Sequence, residues 1–166
     1  IGYFEKGEWL KAIELLEQVV NLDPHYGGAQ DRLAEAREEY HLADLYAKGR
    51  RFFVSGRWQE AIELFEQIVE RGAAPPPEGR RFQIGDVAQQ LEEARKEGML
   101  AELYAKGMDH FDSGQWEEAI VDFKRIVDID PSYKDTTRRV EEARKQERLS
   151  DFYAKAMEHY KREEWD

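Results

Sequence analysis

One pattern returns along this chain, and its recurrence limits the fold more than any other feature of the sequence. Tryptophans stand at Trp9, Trp58, Trp116 and Trp165. Three residues after each of the first three comes alanine (Ala12, Ala61, Ala119), followed directly by isoleucine (Ile13, Ile62, Ile120). Then come Leu16, Phe65 and Phe123, and the pairs Val19-Val20, Ile68-Val69 and Ile126-Val127. Apolar residues spaced in this way line one face of a helix. The small alanine lets a second helix approach closely. The intervals between tryptophans are 49, 58 and 49 residues, and the excess in the middle one falls in 71–83, around Pro75-Pro76-Pro77. A repeat of this size implies units that stack and bury their apolar faces against neighbours.

The expectation is therefore an all-α fold, a helical repeat solenoid of alternating long and short antiparallel helices. Short helices are predicted over 9–21, 58–71 and 116–129, and long ones over 25–54, 86–111 and 131–160. Each long segment carries a heptad-like line: Ala29, Leu33, Ala36, Tyr40, Ala43 and Ala47 in the first, and Val87, Leu91, Ala94, Gly98, Ala101 and Ala105 in the second. In the third it is Val140, Ala143, Ala154 and Met157. Such a line suits contact with a neighbouring long helix. Asp23-Pro24 and Asp130-Pro131 read as an N-cap followed by a first-turn proline. Gly49 reads as a kink, because interior glycine costs a helix about 1 kcal/mol against alanine. As one array over 1–166, the chain divides into a partial repeat 1–24, a repeat 25–73 with a loop insertion at 72–85, a repeat 86–130 and a partial repeat 131–166. Neither end carries a polar capping unit of the kind solenoids use, so the expectation is a segment of a larger protein.

The recurring residues resemble the tetratricopeptide repeat family. Its succession of glycine, aromatic, alanine, aromatic and proline is matched by Gly114, Trp116, Ala119, Phe123 and Pro131. The first copy has Gly7, Trp9, Ala12, Leu16 and Pro24, and the second has Gly56, Trp58, Ala61 and Phe65, with Ala73 at the proline position. Gly49 and Gly107 match the glycine of the family's first helix. Two departures stand out. The family repeat is about 34 residues long, so this is an extended variant with a repeat of about 49. The leucine that precedes the first-helix glycine in the family is lysine here, at Lys48, Lys106 and Lys155.

Composition narrows the function. The net charge is −11, with 37% charged residues, which disfavours phosphate backbones, and no basic stripe runs along a face. With no cysteine, neither disulfides nor thiolate metal sites are available. No apolar run approaches the ~18 residues of a membrane span, and the expected location is cytoplasmic. His110 and His159 are equivalent positions, with Phe52 at the same place in the second copy, so they read as packing or half-exposed surface. The cluster Asp109, His110 and Asp112 splays around a helix rather than converging on a metal. Nucleotide-binding, nucleophile-elbow and zincin motifs are absent, and no catalytic residue, cofactor or metal site is assigned.

What the resemblance implies is protein recognition. The family's first helix lines a groove that holds peptides, and position-by-position transfer gives Tyr46, Arg50 and Phe53, then Tyr104, Met108 and Phe111, then Tyr153, Met157 and Tyr160. The expected function is a non-catalytic scaffold that binds a peptide or protein segment, with basic residues in the ligand favoured by the acidic surroundings. The alternative is a rigid spacer or self-association module in which the tyrosines pack internally. Exposure of the recurring rings distinguishes the two.

Overall fold

The computed structural model describes residues 6–72 and 84–163. Among them are six α-helices and one short 3-10 turn, with no strand. The helices are α1 (Lys6–Leu22), α2 (Ala29–Val54), α3 (Trp58–Gly72), α4 (Ile84–Asp112), α5 (Trp116–Ile129) and α6 (Thr136–Glu163). Long and short helices alternate as the repeat requires, and the fold is an all-α helical repeat. The chain divides into two compact units, 1–96 and 97–166. The prolines of the insertion, Phe4 and Trp165 lie outside the described residues.

The turn between a long helix and the next short one is built identically in both complete pairs. In the first, the Arg57 N–H donates to the Phe52 carbonyl and the Gly56 N–H to that of Phe53. In the second, the Gln115 N–H donates to the His110 carbonyl and the Gly114 N–H to that of Phe111. These pairs satisfy the last orphan carbonyls of the helix, and they require a left-handed residue just past its end. Gly56 (φ 74°) and Gly114 (φ 72°) fill that place. The turn sets the tryptophan edge-on to the last aromatic of the long helix. Ring centroids are 5.3 Å apart for both Phe53–Trp58 and Phe111–Trp116.

In the 1–96 unit, Ala61, Phe65 and Ile68 of α3 lie at full burial among Leu42 and Leu45 of α2 and Val87, Leu91 and Ala94 of α4. A smaller cluster joins Ile13 of α1 to Leu33 and Ala36 of α2. In the 97–166 unit, Ala119, Phe123 and Ile126 of α5 repeat the arrangement with Leu100 of α4 and Val140 of α6. Every fully buried residue of the short helices belongs to the recurring pattern.

Three expectations are corrected. The long helices do not keep one heptad line. The buried line of α2 runs through Ala29, Leu33 and Ala36, then moves to Leu42, Leu45 and Gly49, leaving Ala43 and Ala47 only half-buried. In α4 it runs from Val87, Leu91 and Ala94 to Leu100 and Gly107, with Gly98 and Ala101 half-buried and Ala105 exposed. In α6, Ala154 is exposed. The reason is that α2 packs on α1 with its first half and on α3 with its second, so the covered face rotates along the helix. Next, α2 passes through Gly49 without a break. The glycine is there for room: a Cβ on it would lie 2.6 Å from Phe65 Cε1, and one on Gly107 would lie 2.7 Å from Phe123 Cε1. Finally, two long helices start later than predicted, at Ala29 and Thr136. The Asp23 and Asp130 carboxylates accept backbone N–H groups two residues on, from His25 and Ser132, so each aspartate closes a turn rather than opening a helix. Left-handed Gly27 and Gly28 then delay α2.

Two outcomes follow from this packing. Gly107→Ala gains helix propensity of about 1 kcal/mol but overpacks against the Phe123 ring, which costs about 1–3 kcal/mol. The expected result in urea denaturation is net destabilisation. Adding Phe123→Leu should cost less than the sum of the two single losses, because the variants share a contact. Ala119→Glu should lower stability by several kcal/mol, since residue 119 is fully buried and a carboxylate there has no partner. An unchanged midpoint for either single variant contradicts the packing.

Candidate interaction surface

The nine recurring candidates occupy equivalent places on α2, α4 and α6, but their surroundings differ. On α2, Tyr46 is half-buried with its ring 6.2 Å from that of Phe65. Its hydroxyl accepts a 2.8 Å hydrogen bond from Gln90 Nε2 on α4. Phe53 leans on Trp58, and Arg50 between them is exposed. On α4, Tyr104 packs on Phe123 and on Tyr133, Phe111 packs on Trp116 and Phe123, and Met108 is half-buried beside them. Of the six positions on these two helices, only Arg50 is open to solvent.

Tyr104 is the centre of a polar network. Its hydroxyl donates to Asp135 Oδ1 at 2.6 Å, in the turn before α6. Arg138 and Arg139 reach Asp135 Oδ2 at 2.8 and 3.0 Å. Lys134, left-handed at φ 46°, holds its ammonium 4.2 Å from the centroid of the Tyr104 ring, a cation–π contact. The Tyr104 hydrogen bond, followed by that of Arg138, holds the Asp135 carboxyl well below the usual carboxylate range, and the Tyr104 hydroxyl is pushed up by the same bond.

A second buried polar site lies on α5. Asp122 is only 3% exposed, and its Oδ2 lies 3.1 Å from His110 Nδ1 and 4.0 Å from Lys106 Nζ. Sequence reading singled out His110 but not Asp122. The available signal was the register: Leu64 and Leu15 occupy Asp122's place in the other copies, so an acid there marks a changed neighbour. Among the described residues no group of His, Asp and Glu could hold a metal ion.

On α6 the equivalent face is open. Tyr153 is 70% exposed and Tyr160 57%, while Met157 is half-buried. Two further exposed residues, Leu149 (51%) and Phe152 (65%), lie beside them. Neither appeared among the sequence candidates, although leucine stands at both equivalent places in each complete pair: Leu42 and Leu45, then Leu100 and Leu103. Those leucines belong to the cores. The α6 face is as apolar as theirs, with Phe152 in place of Leu45 and Leu103 and Ala156 in place of Gly49 and Gly107.

The Tyr104–Asp135 bond gives a pH-dependent outcome. A carboxyl whose folded pKa is depressed adds stability above its unfolded value of about 3.9, and that stability is lost as pH falls through the folded value. Tyr104→Phe should cost about 1 kcal/mol at neutral pH. The gap in melting temperature between wild type and variant should narrow as pH falls below about 4. A gap that stays constant under acidification contradicts a role for the bond.

No curated protein and no solved structure matches the chain. A family model does: residues 29–71, which are α2 and α3 with the turn between them, match the tetratricopeptide repeat. That segment holds Gly49, Gly56, Trp58, Ala61 and Phe65, the residues whose room, turn and burial build the first complete pair. The chain is thus an all-α helical repeat in which α2 and α3 together match the tetratricopeptide repeat.

Proposed function

We propose that this chain is a non-catalytic protein–protein interaction module that binds a peptide or protein segment. Tetratricopeptide repeats generally mediate protein–protein interactions, and this reading goes further by placing the contact on α6. The observation that carries it is the contiguous exposure of Leu149, Phe152, Tyr153 and Tyr160. Large apolar side chains grouped on one helix face are uncommon on a surface without a partner. Aromatic residues supply much contact area for little lost rotamer freedom. Met157 adds an adaptable side chain. The net charge of −11 favours a ligand with basic residues and a salt-sensitive association.

A spacer role is favoured by one specific observation. Tyr46 and Tyr104 spend both ring and hydroxyl on internal contacts, so α2 and α4 act as scaffold and α6 supplies the contact surface.

The test is a peptide-array screen of unrelated amphipathic and basic sequences, comparing wild type with a Tyr153→Ala, Tyr160→Ala variant. Both tyrosines are exposed, so the variant should keep its melting temperature while losing the bound peptides. Tyr104→Ala should instead lower the melting temperature. Peptides that bind the double variant as tightly as wild type would remove α6 from the function.

A further inference from the structure

The long helices share a second recurring line, separate from the aromatic one. Leu33-Ala34-Glu35-Ala36-Arg37 on α2 returns as Leu91-Glu92-Glu93-Ala94-Arg95 on α4 and as Val140-Glu141-Glu142-Ala143-Arg144 on α6. In the first two copies the arginine crosses to the short helix before it and takes a glutamate there. Arg37 Nη2 lies 2.8 Å from Glu17 Oε1 on α1, and Arg95 Nη2 lies 2.7 Å from Glu66 Oε1 on α3. Each glutamate directly follows the large central residue of its short helix, Leu16 or Phe65.

The third copy reverses one sign. The residue after Phe123 is Lys124, so Arg144 shares its register with a second cation where its counterparts have a carboxylate. Both side chains line one groove between α5 and α6, with a volume of about 230 Å³. Among the described residues neither cation has an ion pair through its side chain. Held at one register, two like charges repel. A carboxylate placed between them replaces that repulsion with charge-assisted hydrogen bonds.

This register faces solvent with a following helix in place. In the 1–96 unit α3 follows α2, yet the side chains of Arg37 and Glu17 stay 58% and 44% exposed. The rest of the lining sets the ligand. Val127 and Val140 give the groove an apolar part, against which the two methylenes of a glutamate side chain bury. Asp128 and Glu141 also line it, and among the described residues neither pairs with a cation. One added negative charge meets Arg144 and Lys124 directly. A second, as on a phosphate dianion, is opposed by the two acids.

We propose that the α5/α6 groove is a binding site for a glutamate side chain presented by a protein or peptide segment. Its carboxylate takes the place between Arg144 and Lys124 that Glu17 and Glu66 fill within the chain for Arg37 and Arg95. The site uses none of the exposed aromatic residues of α6 and does not depend on their role. Its sign is opposite to that of the acidic surface around it, so it selects an acid at one point of a ligand rather than a ligand of a given net charge.

The probes are a short peptide of alanines around one glutamate, capped at both ends, a counterpart with glutamine in its place, and inorganic phosphate. Each is titrated against the full chain and followed by NMR through the backbone N–H signals of α5 and α6. The glutamate peptide should give saturable shifts around Lys124 and Arg144. It should bind about fivefold tighter than either other probe, the scale of one exposed ion pair. Arg144→Gln should remove that advantage. Lys124→Glu should remove it too, because it installs the ion pair of the other two copies and fills the site from within. The melting temperature of Lys124→Glu should not fall below that of wild type, which separates lost binding from lost folding. Lys11→Glu makes the same charge change on α1 and should bind as wild type does. Equal affinity for the glutamine peptide, or undiminished binding to Lys124→Glu or to Arg144→Gln, would overturn the site. Tighter binding of phosphate would overturn the selection of a carboxylate. Shifts that bypass Lys124 and Arg144, or binding lost with Lys11→Glu, would reduce the effect to contact elsewhere or to net charge and overturn the proposal.

Discussion

The close approach of a phenylalanine ring to a glycine on the facing helix is the contact on which each complete helix pair depends. Phe65 lies over Gly49 and Phe123 over Gly107, each where even a methyl group would collide with the ring. Other features of each pair are arranged around that contact. Alanine four residues before the phenylalanine keeps the helices close, and isoleucine three residues after it extends the buried line. The left-handed glycine after the long helix returns the chain at the angle that brings the ring home. Interior glycine weakens a helix in isolation. Here dispersion contacts across the pair offset that loss, because a gap of even half an ångström forfeits much of the attraction.

Around this contact the polar residues take assigned places. Tyr46 and Tyr104 close the side of the ring and fix the following segment, one through Gln90 and the other through Asp135. His110 and Asp122 form a partly desolvated pair where the other copy uses phenylalanine and leucine. The repeat therefore accommodates either an apolar or a polar pair at one register. An unmatched buried carboxylate would cost more than either pair. The same logic gives α6 its interest: its residues are those of a core helix, and they are exposed.

Much of the fold was legible in the sequence. The tryptophan register gave the order of helices, and two of the three short helices were found almost to the residue, at 58–71 and 116–129 against Trp58–Gly72 and Trp116–Ile129, while the first, expected over 9–21, begins earlier, at Lys6. These helices pack through one continuous stripe, so their periodicity is clean. The long helices were found less well. Their packing partner changes partway along, so no single seven-residue line describes α2 or α4. The Asp-Pro pairs misled because an aspartate that caps a helix and one that closes a turn have the same local sequence.

What the sequence determined by itself is the repeat, the helical class, and the equivalence of Tyr46, Tyr104 and Tyr153. What only the tertiary structure decided is which of these equivalent residues face solvent. Periodicity reports that a face is apolar, and it is the same whether a neighbour covers that face or not. Burial is a property of two surfaces together: α3 covers the face of α2 and α5 that of α4, while the matching residues of α6 stand exposed. For the same reason Gly49 read as a kink from its own helix and became a packing site only once the ring of Phe65, sixteen residues away in the chain, was placed against it.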